Sequence, residues 1–138
     1  MNGLVEYKNG VSSDVCDEMK TVLRKADEHI PRWLQIVDFG IGFAKNAEQN
    51  IELLNPTTIK TMKSEVGNRP LLVGASRKRF MSKILGESVE MDVRDWGTAG
   101  ACCSAILGGA DILRVHNVKG VRSACSVFMK CIGDSKLL

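Results

Sequence analysis

Polar and charged side chains follow three short apolar segments of this sequence, each near the point where the segment ends. Asp38 closes "LQIVD", Ser76 and Lys78 follow "LLVGA", and Arg114 and His116 come after "ADIL". A carboxylate can accept hydrogen bonds from the N–H groups of a heterocycle, whereas arginine, lysine and histidine side chains can bind phosphate or another anion. Together these residue types predict a mixed site for a heterocyclic ligand and a negatively charged group.

Two further features favour anion binding at this site. Ser76 begins the basic stretch "SRKRF", and the pattern places that stretch at the start of a helix. Backbone N–H groups at a helix N-terminus attract anions. Arg114 lies inside a predicted strand, where an arginine is rarely buried without an anionic partner.

The same residues also have structural interpretations. Asp38 could cap a turn, Lys78 and Arg79 could form a solvated helix face, and His116 could be a hydrogen-bonded structural histidine. The sequence contains no P-loop, GxGxxG or HExxH motif, and "GIGF" holds only two glycines. Ser76 has no obvious base in the sequence, so the residues indicate no Ser-His-Asp triad.

The elements that must position these residues alternate between helices and strands. Helical spacing of apolar residues predicts helices over residues 13–29, 48–66 with a break at Pro56, 77–85, 95–109 and 118–132. Apolar runs predict strands over residues 34–37, 71–74 and 110–118. Strands that alternate with helices in this way predict an α/β fold with a parallel sheet. Such folds bind ligands at the carboxyl ends of their strands, where the polar residues fall.

The composition favours a single globular domain spanning residues 1–138. The chain is 44% hydrophobic and 25% charged, with a formal net charge of +3. This mild charge does not favour a nucleic-acid partner, and no aromatic platform accompanies Arg77, Lys78 and Arg79. No apolar run approaches the roughly 18 residues that a membrane span needs.

Cysteine usage and the first residues bear on the compartment. The five cysteines show no CxxC spacing, which favours core packing in a reducing compartment over a disulfide framework or a zinc site. The N-terminal stretch has no signal-peptide core, and Glu6 and Asp14 argue against a transit peptide. We predict an intracellular protein, cytoplasmic or mitochondrial.

Three segments of the sequence resemble dihydropteroate synthase, the pterin-binding enzyme family of folate synthesis. They are "VDFGIGFAKNAEQN", "PLLVGASRKRF" and "RDWGTAGACCSAILGGADILRVHNVKGV". The resemblance is strongest to the synthase part of eukaryotic bifunctional folate-synthesis enzymes. It implies the last three βα units of a TIM (β/α)₈ barrel, a fold of typically about 250 residues, and therefore a truncated barrel.

The resemblance implies roles for the residues that bind the pterin diphosphate. Asp38 would hydrogen-bond the amino-pyrimidine edge of the pterin, Lys78 would contact its carbonyl and ring nitrogen, and Gly74 would let the backbone approach the ring. Arg114 would stack on the pterin and, with His116, bind the diphosphate. Lys78, Arg114 and His116 are the implied catalytic residues.

For the second substrate, the resemblance implies that Ser76 and Arg77 lie at the carboxylate of p-aminobenzoate and that Phe43 packs against it. The family's reaction expels diphosphate from the pterin's methylene carbon, assisted by Mg²⁺, and the aminobenzoate nitrogen attacks. The residues of this chain that match the family include no metal ligand. The sequence departs from the family at Phe39, where the family has proline.

The resemblance therefore predicts a dihydropteroate-synthase-like protein that carries only the final part of the barrel. Its first strands, which carry further ligands for the pterin, diphosphate and magnesium, have no match here. The alternative hypothesis is a catalytically inactive fragment that binds a pterin or pairs with a full-length homologue; self-association is a third outcome. A methyltetrahydrofolate methyltransferase also has a pterin-binding barrel, but the "SRK" and "RVH" motifs favour the synthase.

Overall fold

The structure is a computed structural model that describes residues 6–133. Six α-helices and three β-strands alternate along this part of the chain, together with one short 3₁₀ helix at Arg32–Leu34. The helices are α1 (Val11–Asp27), α2 (Ala47–Leu54), α3 (Pro56–Glu65), α4 (Arg79–Leu85), α5 (Met91–Leu107) and α6 (Val118–Cys131), and the strands are β1 (Val37–Asp38), β2 (Leu71–Val73) and β3 (Ile112–Leu113).

The three strands form one parallel sheet in the order β1–β2–β3. Asp38 lies opposite Leu72, which in turn lies opposite Ile112. The backbone N–H of Arg114 donates to the carbonyl of Val73 at 2.9 Å and extends the pairing beyond β3. The predicted α/β class and the parallel strands are thus confirmed, and the carboxyl ends of all three strands form one rim.

Several element boundaries differ from those predicted. The first strand was expected over residues 34–37 but is Val37–Asp38, because the 3₁₀ helix after Pro31 takes up Leu34. Helix α4 begins at Arg79 rather than at Arg77, because the backbone of Arg77 adopts a left-handed conformation with φ of 58°.

Pro56 divides α2 from α3 as predicted. The Asn46 side chain accepts from the backbone N–H of Gln49 while the Gln49 side chain accepts from that of Asn46, so a capping box starts α2. Asn55 caps α3, and Pro56 occupies the first turn, where its missing N–H costs no hydrogen bond. Local sequence chemistry therefore sets both helix starts.

The core consists of two hydrophobic clusters that both reach the third strand. The larger surrounds Leu71 of the central strand, which is fully buried, and includes Cys16. The smaller joins α5 to α6 through Cys102 and Cys125. All three thiols are free and buried, and burial raises the pKa of Cys102 to about 12. Core packing is therefore the role of these three cysteines, whereas Cys103 is half-buried and Cys131 is exposed.

The opposite, amino-terminal end of the sheet is held together by ion pairs. Arg69, just before β2, is buried and binds Asp27 of α1 through Nη2 at 2.7 Å and Gln35 through Nε at 2.9 Å. Lys63 of α3 binds Asp111 at 2.6 Å. These pairs brace the helices against the sheet at the end remote from the rim. None of the helices described has the length and apolar character required to cross a bilayer.

Candidate functional site

Asp38 ends β1 at the rim and has two partners. Its Oδ1 accepts from the backbone N–H of Gly40 at 2.8 Å, and its Oδ2 lies 3.4 Å from Nη2 of Arg114. The first contact is the turn-capping role that the sequence left open, and the second brings together the rim ends of β1 and β3. Phe39, where the resemblance implies a proline, is buried in the core. The carboxylate's bond to Gly40 therefore supports this turn while Phe39 anchors it.

Gly74, directly after β2, lies against the guanidinium of Arg114. A Cβ atom placed on Gly74 would come within 2.7 Å of Arg114 Nη2 and 3.0 Å of Nε. Because real Cβ atoms do not approach this closely, a side chain at Gly74 would displace Arg114. Asp38 and Gly74 thus hold the Arg114 side chain at the carboxyl end of the sheet, with 57% of the side chain exposed.

Phe43 and Lys78 meet at the same rim from different segments. The ammonium of Lys78 lies 3.8 Å from the centre of the Phe43 ring, within the range of a cation–π contact. The Lys78 stem also crosses Gly42, where an added Cβ would lie 2.7 Å from Lys78 Cδ. Phe43 remains 57% exposed, so an aromatic ring and a cation are presented side by side.

The loop that carries Phe43 is tied down by Asn50 of α2. Asn50 is 1% exposed, and its Oδ1 accepts from the backbone N–H of Gly42 at 2.6 Å. Its Nδ2 donates to the carbonyls of Asn46 at 2.6 Å and Lys45 at 3.3 Å. A single buried amide therefore satisfies three backbone groups of the loop.

Lys45 braces the same loop from within. Its ammonium donates to the carbonyls of Gly40 at 3.1 Å and Phe43 at 3.3 Å. Burial lowers the pKa of Lys45, and nearby Glu18 and Asp38 oppose that shift. The side chain's role is to shape the loop around Phe43.

Ser76 and His116 form a hydrogen-bonded pair between the loops after β2 and β3. Ser76 Oγ lies 2.9 Å from His116 Nδ1, and the His116 backbone N–H donates to the same oxygen at 3.2 Å. The expectation that Ser76 lacks a base nearby is therefore wrong, because the sheet brings together residues that are 40 positions apart. Ser76 is buried whereas His116 is exposed, so the serine orients the imidazole toward the rim.

Arg77 is paired with Asp95 of α5, a residue that the sequence did not single out. Arg77 Nε donates to Asp95 Oδ1 at 3.2 Å, and Nη2 donates to Oδ2 at 3.3 Å. Hydrogen bonding from Arg77 holds the pKa of the Asp95 carboxyl below its ordinary value, against the opposing effect of burial. By contrast, Arg79 is exposed, and its side chain makes no hydrogen bond or ion pair within residues 6–133.

The rim does not fit a magnesium site by itself. Mg²⁺ prefers octahedral oxygen ligands, commonly carboxylates. Among the predicted rim residues, the carboxylate is that of Asp38, which already binds Gly40 and Arg114. Within the described part of the chain, no group of three or more His, Cys, Asp or Glu side chains is arranged to hold a metal ion. The predicted rim residues of this part of the chain offer mainly hydrogen-bonding groups and cations.

The structure brings every predicted site residue to the same rim. Asp38, Gly74 and Arg114 form one group, Phe43 and Lys78 a second, and Ser76, Arg77 and His116 a third. Sequence reasoning missed Asn50 and Asp95, although each carries a recognisable signal. Asn50 shares the buried stripe of α2 with Ala47, Leu53 and Leu54, and Asp95 begins the buried stripe of α5 with Thr98, Ala99 and Cys102. A polar residue on a buried helix face requires a partner, and here the partner lies at the site.

Known proteins resemble this chain over most of its length. A family model for pterin binding enzymes matches residues 2–116. The folic acid synthesis protein fol1 of Pneumocystis carinii is 40% identical over 119 residues, which are 86% of this chain and 16% of that protein. A dihydropteroate synthase of Synechocystis sp. is 50% identical over 93 residues, 67% of this chain and 30% of that protein. A mitochondrial folate synthesis bifunctional protein of Arabidopsis thaliana is 37% identical over 125 residues, 85% of this chain and 22% of that protein.

Solved structures show the same relationship in three dimensions. Dihydropteroate synthase from Thermus thermophilus in complex with 6HMPPP superposes with a TM-score of 0.81 at 30% identity, covering 94% of this chain and 49% of that one. The same enzyme in complex with 4-aminobenzoate gives a TM-score of 0.81 at 30% identity and covers 94% of this chain and 50% of that one. The fold is thus a partial TIM barrel, and the chain spans about half the length of these solved relatives.

The parallel strands, the residues gathered at their carboxyl ends and the similarity to dihydropteroate synthases agree with one another. The family match covers far more than half of the chain. This chain belongs to the pterin-binding enzyme family.

Proposed function

We propose that this chain carries half of a dihydropteroate-synthase-like site, which condenses 6-hydroxymethyl-dihydropterin diphosphate with p-aminobenzoate in folate synthesis. The observation that carries the proposal is the convergence of Asp38, Gly74 and Arg114 within contact distance across three adjacent strands. A carboxylate and a planar cation that packs against a glycine on one rim suit a flat, hydrogen-bonding heterocycle that carries an anionic tail.

For the pterin diphosphate, Asp38 accepts hydrogen bonds from the amino-pyrimidine edge and Gly74 leaves room for the ring. Arg114 stacks on the ring and, with His116, binds the diphosphate, while Lys78 contacts the pterin carbonyl. The cationic groups stabilise charge on the departing diphosphate as its bond to the methylene carbon breaks. The amine of p-aminobenzoate then forms the new C–N bond and releases a proton.

For p-aminobenzoate, Phe43 offers an exposed ring surface beside Lys78, and Arg77 binds the carboxylate. Ser76 lies beside Arg77, and its hydroxyl is engaged by His116. Its contribution to binding p-aminobenzoate is therefore to place the loop and the imidazole. The family's reaction uses magnesium, and we assign no step to a metal here because the rim residues do not form a site for one.

The test supplies the purified chain with the dihydropterin diphosphate, p-aminobenzoate and Mg²⁺ and measures dihydropteroate by mass spectrometry. We expect Arg114→Gln to abolish product, because it removes the cation that faces both ring and diphosphate. Arg79→Gln is the matched control, since the Arg79 side chain is exposed and has no partner within residues 6–133. Equal product from the two variants would contradict the assignment of Arg114.

The second candidate function is pterin binding without turnover, alone or together with a full-length homologue. The observation that favours it is the short span: the chain covers about half of the solved relatives, and its sheet has three strands within residues 6–133. Calorimetric titration with the pterin diphosphate separates the two functions, because binding without product supports this candidate. We further propose an intracellular location, cytoplasmic or mitochondrial; two of the plant relatives are named mitochondrial.

A further inference from the structure

We propose that Asp95 is a positioning residue that presents Arg77 to the carboxylate of p-aminobenzoate. The inference rests on the proposed function, because it assumes that this substrate binds beside Phe43 and Arg77. Asp95 lies on α5, outside the loops that carry the other rim residues. Its role follows from how its carboxylate holds the guanidinium and which part of the guanidinium it leaves open.

The contact between the two side chains is two-pronged and sheltered. Arg77 donates from Nε and from Nη2 to the two carboxylate oxygens of Asp95, at 3.2 and 3.3 Å. The Asp95 side chain is 11% exposed, whereas that of Arg77 is 33% exposed. Paired donors and acceptors fix the plane of the guanidinium as well as its distance, which a single contact does not do.

Asp95 occupies only one edge of the guanidinium. The group has five N–H donors, and the Nε/Nη2 edge uses one from each of these two nitrogens. Both donors of Nη1 and one of Nη2 remain, and one donor from each of these nitrogens forms the end-on edge that can bind a second carboxylate. About a third of the Arg77 side chain is exposed, and the donors of this second edge are the ones that Asp95 leaves for a substrate.

Asp95 lies in a regular helix, whereas Arg77 lies in a turn. Asp95 begins the buried stripe of a 17-residue helix, and Thr98, one turn further, is fully buried and bonded to the carbonyl of Arg94. Arg77 lies in a turn with φ of 58°, a conformation that L-residues with side chains adopt rarely. The loop supplies the cation, and the helix fixes where it points.

The residues proposed to bind the pterin ring make no bond to this pair. Arg114 contacts both Asp38 and Gly74, and the bonds between Asp95 and Arg77 involve none of these three residues. On the diphosphate side, Asp95 interacts with the Asn117 side chain and with the charge of His116. Loss of Asp95 should therefore weaken the binding of p-aminobenzoate more than the binding of the pterin diphosphate. A merely structural role for Asp95 would weaken the binding of both substrates together.

The experiment measures binding of p-aminobenzoate and of the pterin diphosphate to the whole chain by calorimetry, in wild type and in Asp95→Asn. We expect the variant to raise the Kd of p-aminobenzoate about tenfold and to leave that of the pterin diphosphate within about twofold. Asp95→Glu, which keeps the charge, should recover part of the loss. Asp92→Asn is the control, since Asp92 is an exposed carboxylate in the first turn of the same helix.

A second pair of variants keeps the test decisive if Asp95→Asn folds poorly. Arg77→Lys keeps the charge but cannot serve two carboxylates at once, so it should lower p-aminobenzoate affinity by a similar factor. When Asp95→Glu is added to Arg77→Lys, it should cause no further change in the affinity for p-aminobenzoate.

The outcomes separate this inference from the proposed function. If wild type binds p-aminobenzoate, and Asp95→Asn and Asp95→Glu both bind it as tightly as wild type does, the inference alone is overturned. Parallel loss of both substrates in the variants would overturn it in favour of a structural role. A wild-type chain that binds neither substrate would contradict the proposed function, and the inference with it.

Discussion

Gly74 is the position at which a missing side chain shapes the site most directly. Its backbone supports the guanidinium of Arg114, which Asp38 holds from the other side at 3.4 Å. The atoms that a methyl group would meet belong to the far end of a flexible side chain. The structure can therefore accept a substitution at Gly74 by moving Arg114, and the effect should appear in binding rather than in stability.

We expect Gly74→Ala to leave the unfolding midpoint nearly unchanged and to weaken the binding of the pterin diphosphate about tenfold. Calorimetry and urea unfolding of the same preparation measure both quantities. Gly100→Ala is the matched control, because an added Cβ at Gly100 meets no atom within 4 Å. That control should keep wild-type affinity and gain about 0.5–1 kcal/mol of stability from replacing a helical glycine. Unchanged affinity in Gly74→Ala would contradict the assignment of Arg114 to the pterin diphosphate.

At the scale of elements, helix α2 does more than cover the sheet. Its capping box fixes where the helix starts, and its buried Asn50 then binds the loop that carries Phe43. The loop needs such a support because Gly40, Gly42 and Ala44 all have positive φ. The helix thus converts a turn-rich segment into a defined wall of the site.

We expect Asn50→Ala to lower the free energy of unfolding by about 2 kcal/mol, because it leaves buried backbone groups without partners. It should also weaken p-aminobenzoate by loosening the segment around Phe43. Asn55→Ala is the comparison, since Asn55 caps α3 and its side chain binds the start of that helix instead. It should cost about 1 kcal/mol of stability and leave binding intact. If both variants lose affinity equally, general destabilisation is the cause and the role of Asn50 is refuted.

At the scale of the whole molecule, the feature that matters is the pair of edge strands of the sheet and the exposed apolar residues beside one of them. β1 and β3 each pair with a neighbour on one side only within residues 6–133. The segment that leads into β1 exposes Trp33, Leu34 and Ile36, at 80%, 57% and 57%. Unpaired strands beside exposed apolar residues favour association with another copy.

We expect the chain to associate as its concentration rises and Ile36→Lys to shift it toward the monomer, because an edge lysine opposes strand pairing. Sedimentation equilibrium measures the change. Val22→Lys is the control, since Val22 is equally exposed, at 58%, but lies on α1. Cooperative unfolding should accompany the associated form. A strictly monomeric wild-type protein with a sharp thermal transition would contradict this prediction.

The sequence by itself determined the class of fold and which residues lie together at one edge of the sheet. Apolar runs that alternate with helical periods require a parallel sheet, and the residues that end those runs must share its carboxyl edge. Local chemistry also determined the break at Pro56, because the rules for helix starts involve neighbours only. Strand boundaries were less predictable: the strands are two or three residues long, and the periodicity of so short a run is weak.

Only the tertiary structure decided how the rim residues are paired. Ser76 meets His116 across 40 positions, and Arg77 meets Asp95 across 18. Local patterns show that Asp95 and Asn50 lie on buried helix faces, but they do not show what those faces pack against. The packing partner of each face depends on how distant segments of the chain are arranged around the sheet. The physical reason is that a buried polar group must find its hydrogen-bond partner wherever the fold brings one, and sequence spacing does not record that position.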